Sequence, residues 1–292
     1  MEMLECRNLT KIYGKKTVLK NVNLTFEKGK IYGLLGRNGA GKTTLLSVLS
    51  GQNPAGSGSV FWTGMPVWEN EKALAHICFS RELGPGEGRG VSALKVKDYL
   101  RIASLYLSGW DAGMAKELTE LFGLDVKSRI GKLSKGMQSM VSIIVAMASK
   151  ADFTLMDEPA AGLDVVARQQ LYRLIMEEHQ ETGRTFVIST HIIEEAQDAF
   201  DRVVFLKKGE VVLDEDSRVL AENCVHVRGL AEKVERAAAS GRRFGQERFG
   251  RNMGVTLLLP PGERILPDAD YSVQPVSLQE LFVAVCREEG EG

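Results

Sequence analysis

Short apolar segments that end in glycine-rich or acidic residues recur along the chain and predict a parallel sheet. Apolar and polar positions alternate over residues 18–26, as in a half-buried strand, and residues 31–35 form a mostly apolar run. Two more apolar runs, residues 153–156 and 185–189, also predict buried strands. Helical spacing begins at Lys42, with leucines on one face, and the patterns predict helices between strands. The expected fold class is therefore α/β.

The patterns change twice along the chain, and these changes predict its domains. Between about residues 85 and 150 the clearest signals are helical, which predicts a helical subdomain inserted into the α/β core. Two apolar runs joined by Lys207-Lys208-Gly209 predict a hairpin that closes this core near residue 214. We therefore expect a domain at residues 1–214, with its helical insert, and an accessory domain at residues 215–292.

The C-terminal part predicts a small α+β domain. A helix is expected at residues 230–240, strands at 255–259 and 271–276, and a last helix after the capping box Ser277-Leu278-Gln279-Glu280. A glycine- and arginine-rich loop is expected between the first helix and the first strand. Its arginines either form a solvated face or contact anionic lipid or a partner protein. They are Arg242, Arg243, Arg248 and Arg251.

Composition and charge exclude several classes of protein. Hydrophobic residues make up 44% of the chain and charged residues 26%, as in globular proteins, which excludes wholesale disorder. The 37 basic and 38 acidic residues give a formal charge of −1, so no nucleic-acid partner is expected. The longest apolar stretch, near residues 140–148, is shorter than the ~20 residues of a membrane span, and no secretory signal is evident. The four cysteines form no CxxC pair and are expected to be reduced thiols.

A glycine-rich loop between a predicted strand and a predicted helix carries the strongest functional signal. Residues 36–43 read GRNGAGKT and satisfy GxxxxGK[ST], the phosphate-binding loop of P-loop NTPases. The glycines let backbone N–H groups turn toward phosphate, Lys42 reaches the β- and γ-oxygens, and the Thr43 hydroxyl is a ligand for Mg²⁺. The predicted nucleotide-binding residues here are Gly36, Asn38, Gly39, Ala40, Gly41, Lys42, Thr43 and Thr44.

Two carboxylates follow the apolar run at residues 153–156. Open α/β sheets bind their ligands at the carboxyl ends of the strands. Asp157 is therefore the expected partner of Mg²⁺, and Glu158 is positioned as a general base or water-orienting group for attack on the γ-phosphate. Acidic pairs after strands are often only solvated loop starts, but the phosphate-binding loop upstream favours the catalytic interpretation.

Together with these two motifs, Leu133-Ser134-Lys135-Gly136-Met137-Gln138 resembles the LSGGQ signature in the nucleotide-binding subunits of ATP-binding cassette (ABC) transporters. The resemblance covers roughly residues 3–214. It implies a P-loop NTPase core of the ABC ATPase type, and a signature that caps the γ-phosphate of ATP held by the opposite subunit. Ser134 and Gly136 match the family motif, whereas Lys135 replaces a glycine and Met137 a glutamine.

The same resemblance implies roles for four further residues. Asp164 lies in the segment that resembles the D-loop, and His191 is similar to the switch histidine that contacts the γ-phosphate. Tyr13 resembles the aromatic residue that stacks on adenine. Glu82 stands where the family has the Q-loop glutamine, and a carboxylate there would ligate Mg²⁺ but add negative charge near the phosphates. The catalytic set implied in this way is Lys42, Glu158 and His191.

The resemblance further implies a cytoplasmic ATPase that dimerises head to tail around two MgATP and drives a membrane-spanning permease. The signature, the acidic Q-loop and the tail at residues 276–282 resemble exporters with separate membrane subunits, above all those found beside GntR-type regulators that handle antibiotics or antimicrobial peptides. The expected substrate is hydrophobic or peptide-like. The expected location is the inner face of the cell membrane, and a homodimer is favoured over a heterodimer. A soluble ABC ATPase that acts as a scaffold or assembly switch is the alternative.

Overall fold

The computed structural model describes residues 2–83 and 89–287, so residues 85–88 of the expected helical subdomain and residues 288–292 of the expected accessory domain lie outside the described residues. The strands are β1 (Met3–Tyr13), β2 (Lys16–Glu27), β3 (Ile31–Leu35), β4 (Ser57–Trp62), β5 (Met65–Pro66), β6 (Ile77–Ser80), β7 (Phe153–Asp157), β8 (Thr185–Thr190), β9 (Arg202–Lys207), β10 (Glu210–Asp216), β11 (Cys224–Leu230), β12 (Arg242–Phe249), β13 (Asn252–Leu258) and β14 (Tyr271–Pro275). The helices are α1 (Lys42–Leu49), α2 (Glu71–Leu74), α3 (Arg89–Ala93), α4 (Val96–Tyr106), α5 (Ala112–Leu121), α6 (Lys135–Ala148), α7 (Val165–Thr182), α8 (Ser217–Asn223), α9 (Ala231–Ala237) and α10 (Leu278–Cys286).

A six-stranded sheet with the strand order β10-β9-β3-β8-β7-β6 forms the centre of the fold. Neighbouring strands from β9 to β6 run parallel, and β10 closes one edge as the antiparallel partner of β9. Strands β3, β7 and β8 are buried along their whole length, because both faces of the sheet are covered. The predicted α/β fold class is confirmed, and the expected hairpin is the pair of β9 and β10.

A second sheet, with the order β2-β1-β4-β5, shares a core with α1 and one face of the central sheet. Leu45, Leu46 and Leu49 of α1 are fully buried in this core, as their helical spacing indicates. The alternation over residues 18–26 is that of β2. The sequence pattern does not predict β1, because shifts of register against β2 break the period of two.

Much of the described chain between β6 and β7 is helical, in α3 to α6. α6 packs against the central sheet, and its side chains Val141, Ile144 and Met147 are almost completely buried. The apolar stretch near residues 140–148 therefore belongs to a core helix. Across residues 2–83 and 89–287, no helix combines the length and the apolar character needed to cross a bilayer.

The C-terminal part forms a third, antiparallel sheet with the order β12-β13-β11-β14. It packs on α9 around a core of its own that includes Val227, Val234 and Val255. Strand β12 shows that the expected glycine- and arginine-rich loop is wrong, since most of that segment pairs with β13. An edge strand tolerates charged side chains, which conceals it from a hydrophobicity pattern. Arg243, for example, ion-pairs with Glu235 at 2.8 Å.

The last helix, α10, packs between the central sheet and strand β12 of the third sheet, where a Cβ at Gly245 would lie 3.2 Å from the Cβ of Ala284. The capping box expected at its start is present. Phe282 lies with its ring centroid 6.1 Å from that of Phe205 in β9. Lys207, at the end of β9, donates from Nζ to the carbonyl oxygens of Val285 at 2.6 Å and Arg287 at 2.8 Å. A cation here satisfies the free carbonyls at the end of the helix.

A buried arginine joins α6, β7 and α7 to the start of β8. The Arg184 Nη1 atom lies 2.9 Å from Glu178 Oε1, and the two side chains are only 5% and 2% exposed. Lys150 Nζ lies 2.9 Å from the same carboxylate. The other acceptors of the guanidinium are the carbonyl oxygens of Ala146, Met147 and Ala151 and the hydroxyls of Ser149 and Thr154. Burial lowers the pKa of Arg184, and the Glu178 carboxylate opposes this effect.

The four cysteines are free thiols. Burial raises the pKa of Cys6 and Cys224 to about 12 and also raises the pKa of Cys78 and Cys286. These thiols are protonated at neutral pH, which makes them poor nucleophiles and fits the expectation of reduced cysteines.

Candidate functional site

Three neighbouring strands of the central sheet end at one place. In the order β3-β8-β7, Leu35 pairs with Thr190, and Asp157 pairs with Ser189. The carboxyl ends of parallel strands lie at the same edge of a sheet, so the segments that follow them begin side by side. The glycine-rich loop follows β3, Glu158 follows β7 and His191 follows β8.

The backbone of the glycine-rich loop leaves little room for side chains. A Cβ at Gly36 would lie 2.5 Å from the carbonyl oxygen of Leu206, and a Cβ at Gly41 would lie 3.0 Å from that of Val18. Gly41, with φ +110°, is also the N-cap of α1, so no side chain caps the helix. The first N–H groups of α1 therefore keep their hydrogen-bonding capacity, and the helix dipole adds positive potential. This environment suits a phosphate group.

The remaining residues of the loop take different positions. Asn38 and Gly39 are exposed at its tip, where Gly39 has φ +81°. Ala40 is buried behind the tip, and Thr44 is half-buried in the first turn of α1. Their backbone N–H groups, rather than their side chains, are the atoms that would face a phosphate.

Lys42, Glu158 and His191 form one connected group. The Lys42 side chain is only 6% exposed, and its Nζ donates to the carbonyl oxygen of Gly36 at 2.7 Å. The same Nζ lies 3.1 Å from Glu158 Oε1, and the other carboxylate oxygen of Glu158 lies 2.8 Å from His191 Nδ1. The structure thus brings together the three residues that the sequence analysis assigned to catalysis, although they come from three segments of the chain.

Glu158 adopts a backbone conformation that is unusual for a residue with a side chain. Its φ is +49°, in the left-handed region, which costs about 1 kcal/mol or more. Its N–H is held by Ser189, with the carbonyl oxygen at 3.1 Å and the hydroxyl oxygen at 3.0 Å. This backbone geometry directs the carboxylate toward Lys42 and His191.

Thr43 and Asp157 place two oxygen atoms at the mouth of the loop. Asp157 Oδ2 accepts a hydrogen bond from Thr43 Oγ1 at 2.6 Å, and Asp157 Oδ1 accepts one from Ser189 Oγ at 2.5 Å. A hydroxyl and a carboxylate suit Mg²⁺, which takes oxygen ligands and usually fills its other positions with phosphate and water. Within the part of the chain that the structure describes, no three His, Cys, Asp or Glu side chains form a metal-binding group. Thr43 and Asp157 fit a Mg²⁺ that brings phosphate oxygens of a nucleotide as further ligands.

Ser134 and Asp164 each cap a helix. Ser134 precedes α6 and Asp164 precedes α7, and their side-chain oxygens accept the N3 backbone N–H at 3.2 Å and 2.8 Å respectively. The two segments also touch, because a Cβ at Gly136 would lie 2.6 Å from the carbonyl oxygen of Gly162. A glycine is therefore required at position 136, because a larger residue would collide with the loop that contains Asp164.

Tyr13 and Glu82 lie in exposed positions. The Tyr13 residue is 46% exposed at the end of β1, and Lys11 Nζ lies 5.1 Å from the centre of its ring. Glu82 follows β6, and its Oε1 lies 3.7 Å from Lys135 Nζ. Their assigned parts in adenine stacking and Mg²⁺ binding stay predictions.

Sequence reasoning missed Ser189, which is completely buried and joins Asp157 to the backbone of Glu158. The sequence did contain an indication of this role, because a residue with a hydroxyl group stands at the end of the apolar run at residues 185–189. Its partner became evident only from the register of β7 and β8. The contact of Gly162 with Gly136 had no signal in the sequence.

Comparison with known proteins finds relatives with stated roles. A family model described as ABC transporter matches residues 19–161. The lantibiotic transport ATP-binding protein SrtF of Streptococcus pyogenes is 31% identical over 215 residues, which are 73% of this chain and 91% of SrtF. The bacitracin transport ATP-binding protein BcrA of Bacillus licheniformis is 30% identical over 212 residues, 72% of this chain and 68% of BcrA. The ABC transporter ATP-binding protein YtrB of Bacillus subtilis is 27% identical over 290 residues, 97% of both proteins, so that likeness includes the third sheet.

Solved structures show the same fold. An ATP-binding subunit of an ABC transporter matches with a TM-score of 0.65 and 25% identity, over 75% of this chain and 92% of that one. The ATP-binding cassette MJ0796, in a dimeric state bound to ADP and Pi, matches with a TM-score of 0.64 and 24% identity, over 74% of this chain and 99% of that one.

Proposed function

Because this chain belongs to the ABC transporter family of ATP-binding proteins, we propose that it powers export of a hydrophobic or peptide-like substrate through a separate permease. As a family member it is an ATPase that binds ATP with Mg²⁺, and such ATPases dimerise and work with membrane permeases. Two relatives are named for lantibiotic and bacitracin transport, which supports the substrate class proposed here.

One observation carries the catalytic part of the proposal, namely the continuous set of contacts that links phosphate-binding and acid–base groups. Thr43 contacts Asp157, Asp157 contacts Ser189, Ser189 holds the backbone of Glu158, and Glu158 contacts Lys42. A carboxylate that is held against the lysine of a phosphate-binding loop lies within one water molecule of a γ-phosphate bound there.

The proposed reaction divides the work among these side chains. The loop N–H groups and Lys42 hold the β- and γ-phosphates, while Thr43 and Asp157 hold Mg²⁺, which supplies positive charge to the phosphates when it is bound. Glu158 orients the attacking water and accepts its proton. His191 holds the Glu158 carboxylate in place and is proposed to contact the γ-phosphate.

The second part of the proposal is a homodimer in which each signature completes the site of the other subunit. Ser134 and Gly136 at the start of α6, with Asp164 at the start of α7, would then face the nucleotide of the opposite chain. The contact between Gly136 and Gly162 supports a joint role, because it fixes the signature to the loop that begins next to Glu158.

Mixing two inactive chains should restore ATP hydrolysis if the sites are shared in this way. A Ser134→Arg chain and a Lys42→Ala chain form inactive homodimers, but their hybrid contains one site with both an intact loop and an intact signature. Half of the dimers in an equal mixture are hybrids, so about a quarter of wild-type turnover is expected when sites act independently. The rate of phosphate release, measured at a series of mixing ratios, tests this expected turnover.

The matched control mixes the Ser134→Arg chain with a Ser134→Arg/Lys42→Ala chain, which forms the same hybrids without any intact site. Activity that stays at the level of this control, while co-purification of two different tags shows that hybrids have formed, would contradict a shared site in a homodimer.

Co-purification tests the permease. We expect the chain, produced together with the membrane protein encoded beside its gene, to elute with that protein from detergent-solubilised membranes. In proteoliposomes, bacitracin or a lantibiotic should stimulate its ATPase activity several-fold, because transport and hydrolysis are coupled. The control is the same preparation with the Lys42→Ala chain.

The alternative, a scaffold or assembly switch without transport, gives the opposite result in this experiment. The ATPase would then stay in a complex with a soluble partner, and the membrane fraction would contain the membrane protein without it. That distribution would contradict the exporter proposal and leave the ATPase assignment intact.

A further inference from the structure

Two charged residues that replace uncharged residues of the family motifs lie next to each other in the structure. Glu82 stands where the family has the Q-loop glutamine, and Lys135 stands where the signature has a glycine. Although 53 positions separate them, the Lys135 Nζ lies 3.7 Å from Glu82 Oε1. The extra positive charge of the signature is therefore paired with the extra negative charge of the Q-loop.

Lys135 occupies a position that is unfavourable for a cation. It is the first residue of α6 after the N-cap Ser134, and the first turn of α6 contains no acidic residue. The positive end of the helix dipole lies at this point, so a lysine here lowers helix stability, whereas an anion would raise it. The lysine therefore adds its charge to an already positive helix end. Among the residues that the structure describes, Glu82 is the anion that faces this lysine.

The backbone of this segment is held, whereas the lysine side chain is free to turn. Gly136 packs against the carbonyl oxygen of Gly162, and a Cβ at Gly162 would lie 3.0 Å from the Lys135 Cβ. The Lys135 side chain itself is 80% exposed and that of Glu82 is 41% exposed. An ion pair this exposed is weak and screened by salt, so a more highly charged anion would displace the carboxylate.

We propose that Lys135 contacts the γ-phosphate of the ATP bound by the opposite subunit, and that it exchanges Glu82 for this phosphate when the dimer forms. The proposal rests on the shared site described above. The γ-phosphate of ATP carries more negative charge than a carboxylate and lies, in the proposed dimer, opposite the start of α6. Lys135 therefore makes dimer formation respond to ATP rather than ADP. The released Glu82 leaves an unpaired negative charge on the segment after β6.

Dimer formation by a hydrolysis-deficient chain tests the contact with phosphate. In a Glu158→Gln background, MgATP should drive dimerisation, and Lys135→Ala should raise the dimer dissociation constant by at least ~10-fold, since each dimer loses two charge-assisted contacts. Sedimentation velocity over a concentration series measures the constant. Binding of ADP to the monomer should not change, because the glycine-rich loop of the same chain holds ADP.

Lys116→Ala is the matched control, because Lys116 is also a helical lysine, 78% exposed, in a surface ion pair with Glu120. It should leave the dimer constant unchanged. The melting temperature of Lys135→Ala should not fall, since the change removes a cation from a helix N-terminus. A dimer dissociation constant that rises while the melting temperature falls would indicate a structural effect and overturn the proposal.

Glu82→Gln tests the exchange. Removal of the competing carboxylate should strengthen the ATP-driven dimer when Lys135 is present, and should have no such effect in the Lys135→Ala chain. Additive effects in this double-mutant cycle would overturn the exchange between Glu82 and phosphate.

Ser134→Arg, in the same background, separates this proposal from the one on which it rests. If Ser134→Arg weakens the ATP-driven dimer and Lys135→Ala leaves it unchanged, the role of Lys135 is wrong and the shared site stands. If neither change affects the dimer, the shared site itself is wrong.

Discussion

Glu158→Gln is expected to slow ATP hydrolysis by at least ~100-fold while MgATP still binds, the loss typical of a missing general base. Glutamine keeps the size of the side chain and a hydrogen-bonding oxygen, but it does not accept the proton of the attacking water. The contacts of Lys42 with the loop do not depend on the carboxylate, since Nζ also donates to the Gly36 carbonyl oxygen. Single-turnover hydrolysis and equilibrium binding of ATP, measured on the same preparation, separate the two effects.

Glu177→Gln provides the control for this experiment. Glu177 lies on α7, is half exposed and pairs with Arg173. Its change should leave hydrolysis at the wild-type rate. If Glu158→Gln hydrolyses ATP as fast as this control does, the proposed role of Glu158 in proton transfer is wrong.

Arg184→Ala is expected to lower the free energy of unfolding by about 3–5 kcal/mol, which is the cost of breaking a buried ion pair. The change leaves the buried Glu178 carboxylate with Lys150 as its charged partner. It also removes the donor to three backbone carbonyl oxygens at the end of α6 and before β7. Urea unfolding with a shared m-value measures the loss.

Arg173→Ala is the matched control, because Arg173 also pairs with a glutamate of α7, at 2.7 Å, but is 77% exposed. It should have no measurable effect. Arg184→Lys keeps the charge but loses the planar set of N–H donors. Its loss of free energy of unfolding should therefore lie between those of Arg184→Ala and Arg173→Ala. A double Arg184→Met/Glu178→Leu chain should recover part of the stability, because it leaves no unpaired buried carboxylate and Lys150 keeps Asp111 as a charged partner at 3.8 Å. Equal stabilities for Arg184→Ala and Arg173→Ala would contradict the role of the buried pair.

The features that the sequence predicts well are those in which one short segment contains all the required information. The phosphate-binding loop needs glycines, a lysine and a threonine at fixed spacing, so residues 36–43 identify it without any tertiary contact. The Asp157 and Glu158 pair follows directly from a strand end. Strands β3, β7 and β8 of the central sheet were predictable for a similar reason, because burial on both faces makes them short apolar runs, whereas β6 was not predicted.

Edge strands were less predictable. β12 contains Arg242 and Arg243 in its first positions, and its charged side chains lie at an edge where water solvates them. Local sequence therefore resembled a loop, and only pairing with β13 made the segment a strand. The helix expected at residues 230–240 begins only at Ala231, because β11 occupies the residues before it.

By itself the sequence determined the α/β class, the phosphate-binding loop and the candidate catalytic residues, because each depends on local spacing or on burial of a single segment. Tertiary structure decided which of these residues meet. The register of β7 and β8 places Ser189 between Asp157 and Glu158. The pairing of Lys135 with Glu82 required two elements to come together, as did the packing of α10 on β9. Such contacts join positions far apart in the chain, and no local pattern specifies which distant partner a side chain will have once the core has formed.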